Sequence, residues 1–256
     1  MLQSFDPASR ALVWEGPVAD PAACHRAIAT ARAALPAWRA LPVEDRIAVV
    51  RRYAAILAER RAALAELISR ETGKLLWESD AEIGSMIAKV DVSIAAHAER
   101  TGERSAAMPF GRAVLRHRGH GVMAVLGPYN FPGHLPNGHI VPALIAGNAI
   151  VFKPSEITPA TGAAMADAWT AAGLPDGLLT VVQGGRATGE ALVAGDIDGL
   201  LFTGSAGAGA ALRRALVDRP HVIMALELGG NNPLIAWDSP EAAASIIVNS
   251  AFITTG

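Results

Sequence analysis

The sequence predicts an α/β protein: a Rossmann-like, doubly wound and mostly parallel sheet preceded by an N-terminal helical region. Three observations carry this reading. Short apolar runs alternate with helical stretches from Arg118 onward, which implies right-handed crossovers between parallel strands. The segment from about Pro21 to Glu99 instead repeats the three-and-four spacing of amphipathic helices. Glycines and polar residues follow the apolar runs, at the strand ends where such sheets place their ligands.

In the first part, Ile47, Val50, Tyr53, Ile56, Leu57, Leu64, Leu67 and Ile68 mark the apolar faces of several helices, and packing is their simplest role. Thr72 and Gly73 in "ETGKLLWES" interrupt the pattern as a loop or helix join. The stretch "RSAAMPFGRAVLRHR" alternates in character and predicts an edge hairpin, closing a helical region over residues 1–117. Residues 118–256 are then expected to form the doubly wound part. Its strands are predicted at "VMAVLGP", "AIVFKPS", "LLTVVQG", "GLLFTGS", "HVIMALEL" and "NPLIAW", with a helix from Thr158 to Ala172 among the connections.

The chain has 256 residues, 51% of them apolar, enough for a sizeable core. Its formal net charge of -2 and the absence of like-charge runs give no reason to expect a nucleic acid or a membrane as partner. The single cysteine, Cys24, excludes an internal disulfide framework and a multi-cysteine zinc site. Its helical context reads as a packed thiol. "MLQSFDPASR" lacks the layout of a signal peptide and no stretch of about 18 uncharged apolar residues occurs, so a cytoplasmic protein is predicted.

Five strand ends carry candidate chemistry. In "GPYNFPGHLPNGH", Asn130 offers an amide donor in a loop fixed by Pro128 and Pro132, suited either to a developing oxyanion or to local backbone. His134 and His139 in the same stretch lack a third ligand, and no metal is expected. In "VFKPSE", Lys153 is one of three lysines, and with Glu156 it could bond a ribose diol or form an exposed salt bridge at a turn. "GGR" follows the third run. "FTGSAGAGAAL" places free N–H groups and a helix start at a strand end, as a pyrophosphate site or as a tight turn. In "ALELGGNNP", Glu227 is expected to be half buried, which would suit a general base, although a capping role is also open.

Taken in order, "ETGK", "GPYNFP", "FKPSE", "FTGS" and "ELGGNNP" resemble the coenzyme-domain motifs of the NAD(P)-dependent aldehyde dehydrogenase superfamily, and the resemblance covers essentially the whole chain. It implies that Asn130 helps hold an oxyanion and that Glu227 activates the hydrolytic water. It also implies that Lys153 and Glu156 face the adenosine ribose of NAD, while Gly204 and Ser205 approach the pyrophosphate. Ser155, Gly185 and Gly209, in or beside the same strand-end turns, complete the expected coenzyme contacts. Within the family, "GPYNFPGHLPNGHIVPALIAGN" with "ALELGGNNP" implies a small acidic semialdehyde as substrate, N-succinylglutamate 5-semialdehyde of arginine breakdown, or another of that kind. The resemblance also implies a homo-oligomer.

The family nucleophile is a cysteine after a Gly-Gln pair, in a segment that begins much like "SAFITTG", and this sequence stops at Gly256. The expectation is therefore that the chain matches the first half of such an enzyme, that Cys24 occupies no catalytic position, and that these residues alone are inactive. A nucleotide-binding or assembly module without chemistry is the competing class.

Overall fold

The computed structural model describes residues 1–237 and 240–254. The chain opens with an antiparallel pair, β1 (Leu2–Phe5) and β2 (Leu12–Gly16). Their turn is set by Asp6, whose Oδ1 accepts the N–H groups of Ala8 and Ser9. This hairpin is absent from the expectation of a purely helical start, because its strands are too short to show a clear alternation.

Four helices follow: α1 (Pro21–Ala40), α2 (Val43–Glu59), α3 (Arg61–Thr72) and α4 (Leu76–Arg100). Asp20 caps α1 by accepting the Ala23 N–H at 2.6 Å, and Pro21 sits in its first turn. Gly73 ends α3 at φ +78°, a left-handed position that glycine takes without strain. The predicted hairpin is present as β3 (Arg104–Met108) and β4 (Gly111–Leu115), with every residue of both strands exposed.

The second part is a five-stranded parallel sheet in the order β7-β6-β5-β8-β9. In chain order it runs β5 (Val122–Leu126), α5 (His134–Ile145), β6 (Ala149–Lys153), α6 (Pro159–Ala171), β7 (Leu179–Val181), α7 (Arg186–Ala194), β8 (Gly199–Gly204), α8 (Ala206–Ala215) and β9 (Ile223–Leu228). A last helix, α9, spans Pro240–Phe252. Every residue of β5 and β6 is buried, as expected for central strands of a sheet covered on both faces. The predicted strand at "NPLIAW" does not form. Pro233 lacks an N–H for a ladder, and Leu234, Ile235 and Trp237 are exposed, with no apolar layer over them among the described residues.

One apolar cluster joins the helical region to the sheet, from Cys24, Trp38 and Tyr53 to Val125, Phe152 and Trp169. Tyr53 of α2 stacks on Trp169 of α6 with ring centroids 3.7 Å apart, and Trp38 Nε1 donates to the Leu144 carbonyl. Helix α1 packs on β5, β6, β7 and α7, while α4 packs along α5. These contacts place α3 and α4 beside the loops at the carboxyl edge of the sheet.

Candidate active site

Connections leave β5 toward β6 and leave β8 toward β9, so the strand order reverses between the neighbours β5 and β8. In a doubly wound sheet that switch point opens a crevice at the carboxyl ends of the strands. All the expected site residues except Gly209 fall on strand ends or turns at that edge: Asn130 after β5, Lys153 to Glu156 at β6, Gly185 after β7, Gly204 and Ser205 at β8, and Glu227 on β9.

The loop from Gly127 to Gly133 is held from below. Gly127 N donates to the Lys153 carbonyl at 3.0 Å, and a Cβ on Gly127 would meet Pro136 Cγ at 2.8 Å. Asn130 is exposed. Its carbonyl accepts a hydrogen bond from Lys74 Nζ at 3.0 Å, and the same ammonium binds Glu82 Oε2 at 2.8 Å and lies 3.8 Å from the centre of the Phe131 ring. The other oxygen of Glu82, Oε1, accepts the N–H groups of Gly133 and His134 at the start of α5. A carboxylate there satisfies orphan donors and the positive helix end together.

Glu71 does the same for α6. It is buried and accepts from Ala160 N, Thr161 N and Thr161 Oγ1 at 2.8 Å and from Ser4 Oγ at 2.7 Å. Sequence reasoning missed Glu71, Lys74 and Glu82 as individual residues. Glu71 and Lys74 sit in "ETGK", which reads as a helix join, and Glu82 lies mid-helix, where a charge normally faces water. A carboxylate three residues before a lysine at a helix end was the only available signal.

At β6, Lys153 is buried rather than lying in an exposed salt bridge. Its Nζ donates to the carbonyls of Pro154 and Gly184 at 2.7 Å and stands 3.5 Å from Glu156 Oε2. Burial holds its pKa below the usual lysine range, with Glu156 opposing the shift. The Glu156 side chain is 53% exposed. Ser155 is buried, and its hydroxyl accepts the Ile157 N–H at 3.3 Å, so it holds the turn before α6. Gly184, at φ +151°, brings its carbonyl to Lys153. A Cβ there would strike Thr188 Oγ1 at 2.1 Å. Gly185 is the N-cap residue of α7, and a Cβ on it meets nothing within 4 Å.

Ser205 caps α8, its Oγ accepting the Ala208 N–H at 3.2 Å. The other N–H groups of that first turn have no partner within the helix, and a Cβ on Gly207 meets nothing within 4 Å. Gly204 ends β8, where a Cβ would meet the Phe202 ring at 2.4 Å. Gly209 is buried, and a Cβ there would meet Leu228 Cδ2 at 2.6 Å. Its role in this structure is close packing of α8 on β9.

Glu227 pairs in register with Thr203 across β8 and β9, so their side chains share one sheet face. His139 of α5 reaches the same face, its Nε2 3.2 Å from Thr203 Oγ1. Burial lowers the pKa of His139, and Glu227 opposes that shift. Contrary to the half-buried expectation, Glu227 is exposed. It lies on the last strand of the sheet, and no described element covers that flank.

Among the described residues no group of three His, Cys, Asp or Glu side chains is placed to hold a metal ion, and no helix is long and apolar enough to cross a membrane. A groove of about 680 Å³ between α1 and β7, lined by residues such as Val18, Arg26 and Gln183, contains none of the expected site residues.

The aldehyde dehydrogenase family profile matches residues 1–256. The chain belongs to the aldehyde dehydrogenase family. It is 64% identical over 258 aligned residues to N-succinylglutamate 5-semialdehyde dehydrogenase 2 of Caulobacter vibrioides, covering 100% of this chain and 53% of that protein. It is 54% identical to N-succinylglutamate 5-semialdehyde dehydrogenase of Cronobacter sakazakii, covering 100% and 52%. The chain thus spans about half the length of the curated relatives it matches. Among solved structures, NADP-dependent glyceraldehyde-3-phosphate dehydrogenase from Bacillus halodurans C-125, complexed with NADP, superposes with a TM-score of 0.91 at 29% identity, covering 98% of this chain and 54% of that one.

Proposed function

We propose that an aldehyde dehydrogenase carrying this segment oxidises N-succinylglutamate 5-semialdehyde to N-succinylglutamate in arginine breakdown, with NAD as acceptor. The observation that carries the reading is the 54–64% identity, over this whole chain, to enzymes named for that substrate. In this reading the segment supplies the coenzyme cleft, an oxyanion donor and a general base.

The carboxyl edge fits a dinucleotide. The Gly185 and Gly207 positions are open, the first turn of α8 offers N–H groups to a pyrophosphate, and Lys153 with Glu156 can bond a ribose diol. NAD is favoured over NADP because two donors of Lys153 are committed to carbonyls and its charge is balanced by Glu156, a carboxylate that would repel a 2′-phosphate. When bound, the nicotinamide accepts the hydride from the substrate carbon.

The protein residues supply the rest. Asn130, exposed on a pinned loop, donates its side-chain amide to the oxyanion formed when the family thiol adds to the aldehyde. Glu227 takes a proton from the water that hydrolyses the resulting thioester. His139 and Thr203 share its sheet face and can accept onward hydrogen bonding. The test is NADH formation by the full-length enzyme with N-succinylglutamate 5-semialdehyde against other acidic semialdehydes. A specificity constant no better for the succinylated substrate removes the substrate assignment.

A further inference from the structure

We infer that Lys74 is a positioning residue for Asn130, setting the direction in which its amide points. The inference rests on the reading of Asn130 as the oxyanion donor and adds a residue that does not touch substrate. Lys74 and Glu82 form a buried ion pair, with side-chain exposures of 10% and 0%. Such a pair is costly to desolvate unless its remaining hydrogen bonds are filled, and here they are filled by one short loop. Lys74 Nζ binds the Asn130 carbonyl at 3.0 Å and stands over the Phe131 ring at 3.8 Å. Glu82 Oε1 takes the N–H groups of Gly133 and His134 at 2.9 and 3.0 Å.

The geometry has a direct consequence. The ammonium grips the peptide that follows Asn130 and the side chain that follows that peptide, so it fixes the backbone at the Asn130 Cα and the exit direction of Cβ. The far end of the loop is tied to the same ion pair through Glu82. A Cβ on Gly133 would meet Met86 Sδ at 2.6 Å, so the loop also lies tight against α4. By contrast the Asn130 side chain is exposed, and its aim depends on the backbone beneath it. A preorganised donor loses most of its value when it is displaced by about 1 Å.

The experiment compares Lys74→Met, Lys74→Arg, Lys74→Met with Glu82→Gln, Asn130→Ala, and Lys74→Met with Asn130→Ala in the full-length enzyme. The readouts are the pre-steady-state NADH burst and the KM for coenzyme. The Glu82→Gln partner removes the unpaired buried charge that Lys74→Met would leave, while its amide oxygen still accepts the Gly133 and His134 N–H groups, so a folded variant is in hand. The expected result is a burst slowed about 10- to 100-fold in Lys74→Met and in Lys74→Met with Glu82→Gln, with coenzyme KM within about twofold. Lys74→Arg should recover part of the loss. The Lys74→Met, Asn130→Ala double variant should be no slower than Asn130→Ala alone, because both changes remove the same interaction. A normal burst in the Lys74→Met, Glu82→Gln variant beside a slow Asn130→Ala overturns the inference and leaves the role of Asn130 standing, as do losses that multiply. A normal burst in Asn130→Ala overturns both.

Discussion

Thr203 Oγ1 lies 3.2 Å from His139 Nε2, and Thr203 is the register partner of Glu227 on the adjacent strand. This ties a half-buried imidazole to the sheet face that carries the proposed base. Burial disfavours the charged form of His139, with Lys89 adding to that and Glu227 opposing it. A histidine whose folded pKa lies below its unfolded value of about 6.5 takes up fewer protons when folded, so stability falls as pH drops below that value.

The first prediction follows from that sign. The thermal midpoint should decrease between pH 7.5 and 5.5, and His139→Gln should flatten part of the decrease. Glu227→Gln should steepen it, because loss of the carboxylate lowers the histidine pKa further. Calorimetry across that pH range checks both. A slope unchanged in His139→Gln would remove the assignment.

Coenzyme choice gives the second prediction. The half-exposed Glu156 side chain sits 3.5 Å from a lysine whose other donors are taken. Glu156→Gln in the full-length enzyme should narrow the preference for NAD over NADP by about 5-fold, since one charge repulsion at a solvent-exposed site is worth about 1 kcal/mol. The ratio of specificity constants is the measurement, and a constant ratio counts against a ribose contact.

Glu71 provides a test of architecture rather than chemistry. It takes four hydrogen bonds while buried, three of them from the first turn of α6. Glu71→Gln turns an acceptor oxygen into a donor facing backbone N–H groups, at a cost of about 3 kcal/mol. Urea unfolding should show the loss as a lower midpoint with little change in slope. A midpoint equal to that of the parent would mean that water replaces the carboxylate.

The fold was legible where period and burial agree. Val122 to Leu126 and Ala149 to Lys153 read as strands from their apolar runs, and they are buried throughout because both faces of the sheet are covered. "NPLIAW" has the same apolar character but forms no strand, since composition does not say whether a neighbouring strand is present to bond it. The candidate site residues were legible as a set of strand ends, and that is where all but Gly209 lie. Their supports were not: Glu82 and Lys74 are eight residues apart in sequence, and they meet Asn130 only once α4 packs on α5. Glu227 is where the pattern places it, yet its exposure depends on what covers the last strand, which no local pattern encodes.

The final prediction separates Asn130 from Glu227 by the step each serves. An oxyanion forms when the thiol adds to the aldehyde, before any NADH appears, so Asn130→Ala should slow the NADH burst, by about 100-fold for one lost donor. Glu227 acts on water in thioester hydrolysis, after NADH has formed. Glu227→Gln should therefore keep a burst of about one equivalent per site while lowering steady-state turnover by about 100-fold or more. If Glu227 also helps to ionise the thiol, its variant should show a slower burst that is restored at higher pH, where the thiol ionises unaided. Rapid-mixing kinetics on both variants, at two pH values, gives the answer. A normal burst in Asn130→Ala together with normal turnover in Glu227→Gln would show that neither residue has the assigned role.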